Sequence, residues 1–277
     1  MGNDSIVVRR RTWPWGVAAS VVTAGLVLGG CSSGDDDKAA EPSASAPSKS
    51  AAASASPSAG DASPLSPLEA DPAKVPRTKS RAEELAAAVT LEPQGWGAGF
   101  QAQRSAESTP GTFAVLDEQC RWERQSLPPS VLASLTRYSE IPAAGGKGEL
   151  KVSASVTVHT TVSDADERLA STLEEPLRCR EQQVRTDEWI AGLQSTATPY
   201  GQGGNNYADD QIVEIGKYLT GNVEQSYFWL VTRLGTVTVA VSVKGAKGYS
   251  DNELNVYASS ATNAMLDGVK FQLGGDN

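Results

Sequence analysis

The most regular stretch of the chain is the alternation from Leu150 to Val162. Leu150, Val152, Ala154, Val156, Val158 and Val162 alternate with Lys151, Ser153, Ser155, Thr157, His159 and Thr161. A period of two predicts a strand with one buried and one wet face. It places His159, the single histidine, on the wet face, so a solvent-facing residue is expected there and a catalytic role is the lesser reading. A second alternation, Val237, Val239, Val241 and Val243, gives the later half of a hairpin, Tyr227–Leu234 with Thr236–Lys244, that turns near Arg233-Leu234-Gly235. Gln211–Leu219 also reads as extended. Thr112–Arg124 does too, with an interruption near Asp117. Val131–Leu135 reads equally as a short strand or a helical turn.

Helical periodicity appears three times. Arg81–Val89 reads as a short helix. Ser163 with Asp166 and Asp164 with Glu167 form capping patterns, and Ala165, Leu169, Leu173 and Leu177 follow at intervals of four. Pro176 is expected to kink or loosen that helix just before Cys179. Ser250 with Glu253 opens the last helix, whose stripe is Leu254, Tyr257, Ala258, Ala261 and Met265 and whose end is expected near Gly268. Strands and helices in this order predict an α+β fold: an antiparallel twisted sheet with packed helices.

The first residues follow a different logic. Arg9, Arg10 and Arg11 precede an apolar run, Val17–Leu28. At about twelve residues this run is too short to span a bilayer, which needs roughly 20, and it suits a signal-peptide core. It ends in Leu28-Gly29-Gly30-Cys31, which resembles the lipobox of bacterial lipoproteins. On that resemblance residues 1–30 are a signal peptide and Cys31 carries diacylglycerol and acyl chains such as palmitate. Two chains make a stable membrane anchor. The Arg9–Trp13 stretch also loosely resembles a twin-arginine export signal, so the export route stays open. Residues 31–79, rich in Ala, Ser and Pro, hold too few large aliphatics to fold and read as a disordered tether. Residues 80–277 read as the folded α+β domain.

The 277-residue chain carries 24 basic and 33 acidic residues, a net charge of −9, with no basic tract. Nucleic-acid binding, which neutralises phosphates, is therefore not expected. One histidine and three cysteines are too few for the usual zinc sites, so neither a metal nor a cofactor is expected. No G-x-S-x-G, no Ser-x-x-Lys, no H-E-x-x-H and no phosphate-cradling glycine loop is present, so an enzyme is not expected. With Cys31 lipidated, Cys120 and Cys179 remain. An even count outside the cytoplasm implies one disulfide. That bridge would gather Arg121, Arg124, Arg178, Arg180 and Arg185 into a candidate anion site, with Arg121 and Arg178 beside the sulfurs. The competing reading is surface pairing with Glu118, Glu123, Glu174, Glu175 and Glu181. Trp96, Tyr200 and Tyr207 stand beside glycine-rich loops and are candidate ligand-contacting rings, against the alternative that they pack as core.

The order from the Leu150 strand, through the Ser163-Asp164-Ala165-Asp166 helix to Cys179 and the valine-rich strand Thr236–Val243, to a C-terminal helix resembles the PknH-like extracellular sensor domain. That domain occurs in actinobacterial Ser/Thr kinases and lipoproteins. The resemblance covers roughly residues 90–273. It implies a cleft between sheet and helices that takes a ligand. Family members typically have two disulfides; this chain has one possible pair, and neither a kinase domain nor a membrane-spanning helix. The expectation is a lipoprotein anchored on the outer face of the cell membrane. Its domain is a sensory or accessory module for a small-molecule or cell-envelope ligand. The alternative is a structural lipoprotein whose partner is an envelope protein.

Overall fold

A computed structural model describes residues 66–274. The signal-peptide run, the lipobox with Cys31 and the tether as far as residue 65 lie outside the described residues. Helix α1 (Lys79–Val89) is capped by Thr78, whose hydroxyl oxygen accepts from the Arg81 N–H. A 3-10 turn at Pro93–Trp96 leads into β1 (Gln101–Glu107), β2 (Thr112–Leu116), β3 (Trp122–Ser126), β4 (Val131–Ile141) and β5 (Leu150–His159). Helix α2 (Val162–Arg178) separates these from β6 (Glu181–Arg185), β7 (Glu188–Pro199), β8 (Asp210–Thr220), β9 (Val223–Leu234) and β10 (Val237–Lys244). Helix α3 (Asp251–Leu273) follows.

Eight strands form one antiparallel sheet in the order β1-β4-β5-β10-β9-β8-β7-β6, and β2 and β3 pair apart as a hairpin. The α+β class expected from the periodicities is the class found. The middle of the sheet is β5 against β10, in the register Val156↔Val239 and Ser153↔Ser242. Because side chains alternate, one face of this pair is all Val, Leu and Ala, fully buried beneath α1 and α3. The opposite face carries Lys151, Ser153, Ser155 and Thr157 from β5, with Thr238, Ala240, Ser242 and Lys244 from β10. Helix α2 lies over that second face, where Leu169 packs on Ile212 and Val231. Gly235, at φ +57°, makes the left-handed turn between β9 and β10.

Several expectations need correction. His159 does not meet solvent: it is 2% exposed, and its Nε2 lies 3.1 Å from the Thr238 hydroxyl. The polar face is roofed by α2 at this end of β5, so alternation alone misreads it. The cap of α2 is Thr161, not Ser163, and accepts from the Asp164 N–H. The end of α2 stands where it was expected: the helix carries Pro176 inside it, runs to Arg178 and closes with the Cys179 N–H donating to the Glu175 carbonyl. The stripe also turns in the last part of α2, where Thr172, Glu175 and Cys179 face inward and Leu177 is 83% exposed. Helix α3 passes Gly268 and continues to Leu273. Burying Val269 and Leu273 at about 1.5–3 kcal/mol each outweighs the roughly 1 kcal/mol that one helical glycine costs.

The folded unit begins before residue 80. Leu68 and Ala70 pack on the core, and Ala70 forms a bridge to Gly274. The Asp71 N–H donates to the Leu273 carbonyl at 2.8 Å. One leucine and the buried Pro76 supply enough apolar surface to seat this segment on the end of α3. Among the described residues no helix is long and apolar enough to cross a membrane.

Candidate functional site

The second face of the sheet forms the floor of a cavity of about 340 Å³. Its floor is a ladder of hydroxyls created by the β4-β5-β10 register. Ser134 lies 3.0 Å from Thr157, Thr136 2.8 Å from Ser155, and Ser153 2.7 Å from Ser242. Each hydroxyl is paired with a neighbour and can rotate to meet a ligand donor or acceptor. The walls are apolar: Phe113 and Ala114 from β2, Trp122 from β3, Val184 from β6, Ile190 from β7, and Trp229 from β9. Trp122 and Trp229 meet edge to face with centroids 5.4 Å apart, and the Trp122 indole N–H donates to Gln182 Oε1 at 2.8 Å. The volume falls within the range of small-molecule sites, as does the mix of rings with a few placed polar groups.

Charge concentrates at two places on the rim. At one, Lys244 and Lys151 converge on Glu188, at 2.8 Å and 3.4 Å, and Arg185 joins them at 3.4 Å. Burial alone would raise the Glu188 carboxyl; Lys244, Arg185 and Lys151 overcome it and hold it at about 2. Burial also pulls Lys244 below the usual lysine value. At the other, Arg124 donates from Nε to the Thr112 hydroxyl at 2.8 Å and from a terminal nitrogen to the Thr112 carbonyl at 2.6 Å. Arg168 of α2 also lines the cavity and pairs with Glu175 at 3.0 Å.

Beneath α2 lies a group of buried ionisable residues. Glu214 has no exposed surface, and the Ser195 hydroxyl donates to its Oε1 at 2.6 Å. Burial, with the nearby Glu175 charge, pushes Glu214 up to about 7. Glu175 is raised by burial as well, against the pull of Arg168. His159 is driven down to about 4 by burial, with the Arg168 charge adding to the effect. The buried Tyr227 hydroxyl is pushed far above its usual range by burial and by these two carboxylates.

A disulfide joins two of the elements around the cavity. Cys120 and Cys179 are bonded, with Cα atoms 5.5 Å apart, and tie the turn of the β2–β3 hairpin to the end of α2. Cys120 adopts φ +61° in this turn, a left-handed conformation rare for a side-chain-bearing residue. The Gln183 N–H donates to the Cys120 carbonyl at 2.8 Å, fastening the same turn to β6.

The bridge brings the predicted arginines near one another but gives them separate tasks. Arg121 pairs with Asp117 at 2.8 Å, and its backbone N–H and guanidinium hold that carboxyl below the usual range. Arg178 donates to the carbonyls of Asp117 and Leu116 at 2.7 and 2.9 Å. It lines a second, acid-rich depression of about 420 Å³ between hairpin and α2, where Asp164, Glu167 and Glu174 also lie. Arg124 and Arg185 face the first cavity. Trp96 is 6% exposed and packs on Phe100 in the core with α1 and α3. Tyr207 donates its hydroxyl to Gln211 at 2.8 Å and packs against the same core, and Tyr200 is half-buried. None of Trp96, Tyr200 and Tyr207 lines the cavity. Trp122 and Arg124, two apart on one strand, could have been paired from strand periodicity once Trp122–Ser126 was read as its own strand.

No family model matches the chain, and no curated protein matches it in sequence. Among solved structures, the extracellular domain of PknH from Mycobacterium tuberculosis aligns at 14% identity and a TM-score of 0.42, covering 67% of this chain and 97% of that one. A Pseudomonas aeruginosa protein of unknown function aligns at 10% identity and 0.30, covering 56% and 94%. An uncharacterised Mycobacterium smegmatis protein aligns at 11% identity and 0.29, covering 71% and 97%. These are distant likenesses, and the site stands on the residues of this chain.

Proposed function

We propose that the folded unit is a small-ligand-binding module, a sensory or accessory domain held outside the cytoplasm by a lipid on Cys31. The observation that carries the binding role is the cavity itself: a hydroxyl floor, two tryptophans in edge-to-face contact and a roof stapled by a disulfide. The disulfide also suits an oxidising compartment, as the lipobox requires. The role proposed is recognition, with state passed to another envelope protein.

The two halves of the proposal are tested separately. Cys31→Ala is expected to shift the protein from the membrane fraction to the soluble fraction, or to leave it unprocessed; undiminished membrane retention with normal processing would remove the anchor. For the cavity, a small-molecule library is screened by thermal shift on the wild type and on Ala240→Phe. This substitution fills the site and removes no hydrogen bond. A true ligand at about 100 times its Kd adds about 2.7 kcal/mol, roughly 5–10 °C for a domain of this size. The shift is expected in the wild type and not in the variant. Hits that stabilise both equally would place binding elsewhere.

A further inference from the structure

The whole chain is acidic, at −9, yet the cavity is lined by five cations (Arg124, Lys151, Arg168, Arg185 and Lys244) and by one carboxylate, Glu123. Most of these cations have an acid behind them. Lys151, Lys244 and Arg185 share Glu188, Lys151 also pairs with Glu149, and Arg168 has Glu175. Arg124 differs. Among the described residues its guanidinium meets only neutral acceptors, the hydroxyl and carbonyl of Thr112 and the Thr136 hydroxyl at 3.4 Å. It is half-buried at the wall, next to the hydroxyl ladder and on the same strand as Trp122. A guanidinium so held is already oriented, so a carboxylate or phosphate gains a charge-assisted contact with little ordering cost. The ring walls meanwhile reward an apolar body. Resting on the reading of this cavity as the ligand site, we infer that its ligand is a small organic anion: an apolar, ring-sized body bearing a carboxylate or phosphate that pairs with Arg124.

The probes are indole-3-propionate and phenyl phosphate, with indole-3-propionamide as the uncharged counterpart, titrated calorimetrically into the wild type, Arg124→Gln, Arg124→Lys and Ala240→Phe. The wild type is expected to bind the propionate at least tenfold more tightly than the amide, with the preference weakening as salt rises. Arg124→Gln should abolish the preference and Arg124→Lys should keep most of it, which separates loss of charge from damage to the hairpin. Ala240→Phe should remove binding of both. Tighter binding of phenyl phosphate than of the carboxylate would make phosphate the preferred head. Equal binding of amide and propionate to the wild type, both lost in Ala240→Phe, would overturn the anionic ligand and leave the cavity as a site. Binding of either probe that survives Ala240→Phe would overturn both readings. No binding of any probe to the wild type would overturn the anionic class, and the library screen would then stand alone for the cavity.

Discussion

Replacing Cys120 and Cys179 by serine lowers the stability of the folded unit by about 4 kcal/mol, the chain-entropy value for a crosslink of this span. The two residues are 59 apart, so the bridge removes much of the freedom of the unfolded chain. A loss of that size lowers Tm by roughly 8–16 °C in a domain of about 200 residues. It falls unevenly. The hairpin β2–β3 stands outside the main sheet, and its turn is held by the disulfide, by Arg178 on the Leu116 and Asp117 carbonyls, and by the Cys120–Gln183 hydrogen bond. Without the bridge the hairpin is expected to lift first and carry Trp122 away from Trp229. Tryptophan fluorescence should therefore shift to the red at temperatures where far-UV circular dichroism still reports a folded sheet. A drop below about 1 kcal/mol, or fluorescence and dichroism that change together, would show that the bridge is not what holds the roof.

The second large effect concerns pH. Two buried groups act in opposite directions over nearly the same window. Glu214 is raised from 4.5 to about 7 in the folded state, so the fold keeps a proton that the unfolded chain releases above 4.5. Stability from this group is present at low pH and is lost as pH rises to about 7, by about 3 kcal/mol. His159 is lowered from 6.5 to about 4, so the unfolded chain takes up a proton that the fold refuses. Its contribution is present above 6.5 and is lost as pH falls to about 4, again by about 3 kcal/mol. The groups facing them belong to α2 (Asp164, Arg168 and Glu175), β7 (Ser195), β9 (Tyr227) and β10 (Thr238). In the wild type the His159 slope opposes that of Glu214, to which the raised Glu175 adds, so urea midpoints should vary less between pH 4.5 and 6.5 than in a variant lacking either Glu214 or His159. Glu214→Gln, which keeps an oxygen for the Ser195 hydroxyl, should unmask a rise in stability with pH; His159→Gln should unmask a fall. The slopes carry the test, since either substitution can also move the absolute level. Slopes of the same sign in the two variants would contradict this pairing.

What the sequence discloses here is local. The alternation in Val237–Val243, the turn at Gly235 and the Ser250–Glu253 cap each lie within one short segment, and each is found where the pattern puts it; the alternation read from Leu150 to Val162 holds as strand only to His159, and Val162 opens α2 instead. The edge strand Gln101–Glu107 has only Ala102 and Ala106 as apolar residues, interrupted by Arg104, and is almost wholly exposed, so it offers no apolar period to detect. His159 misleads because its surroundings come from α2, a separate element that roofs the face expected to be wet. The cysteine count foretells the disulfide, but not that it staples a hairpin over a cavity. For the same reason Arg121 and Arg178, nearest the sulfurs in sequence, serve the turn. Arg124, Lys151 and Lys244 reach the cavity because of strand register, which joins residues far apart in the chain. Trp96 and Tyr207 stand beside glycine-rich loops as read, but Trp96 is buried in the main core and Tyr207 packs against that core.

The most direct test of the central claim is to map, by amide chemical shifts, where the tightest-binding hit from the library contacts the wild-type folded unit. The perturbed amides are expected to cluster on Ser134–Tyr138, Lys151–Thr157, Thr238–Lys244 and the Trp122 strand. Shifts centred instead on the loops around Trp96, Tyr200 and Tyr207, or spread over the surface without a focus, would contradict it.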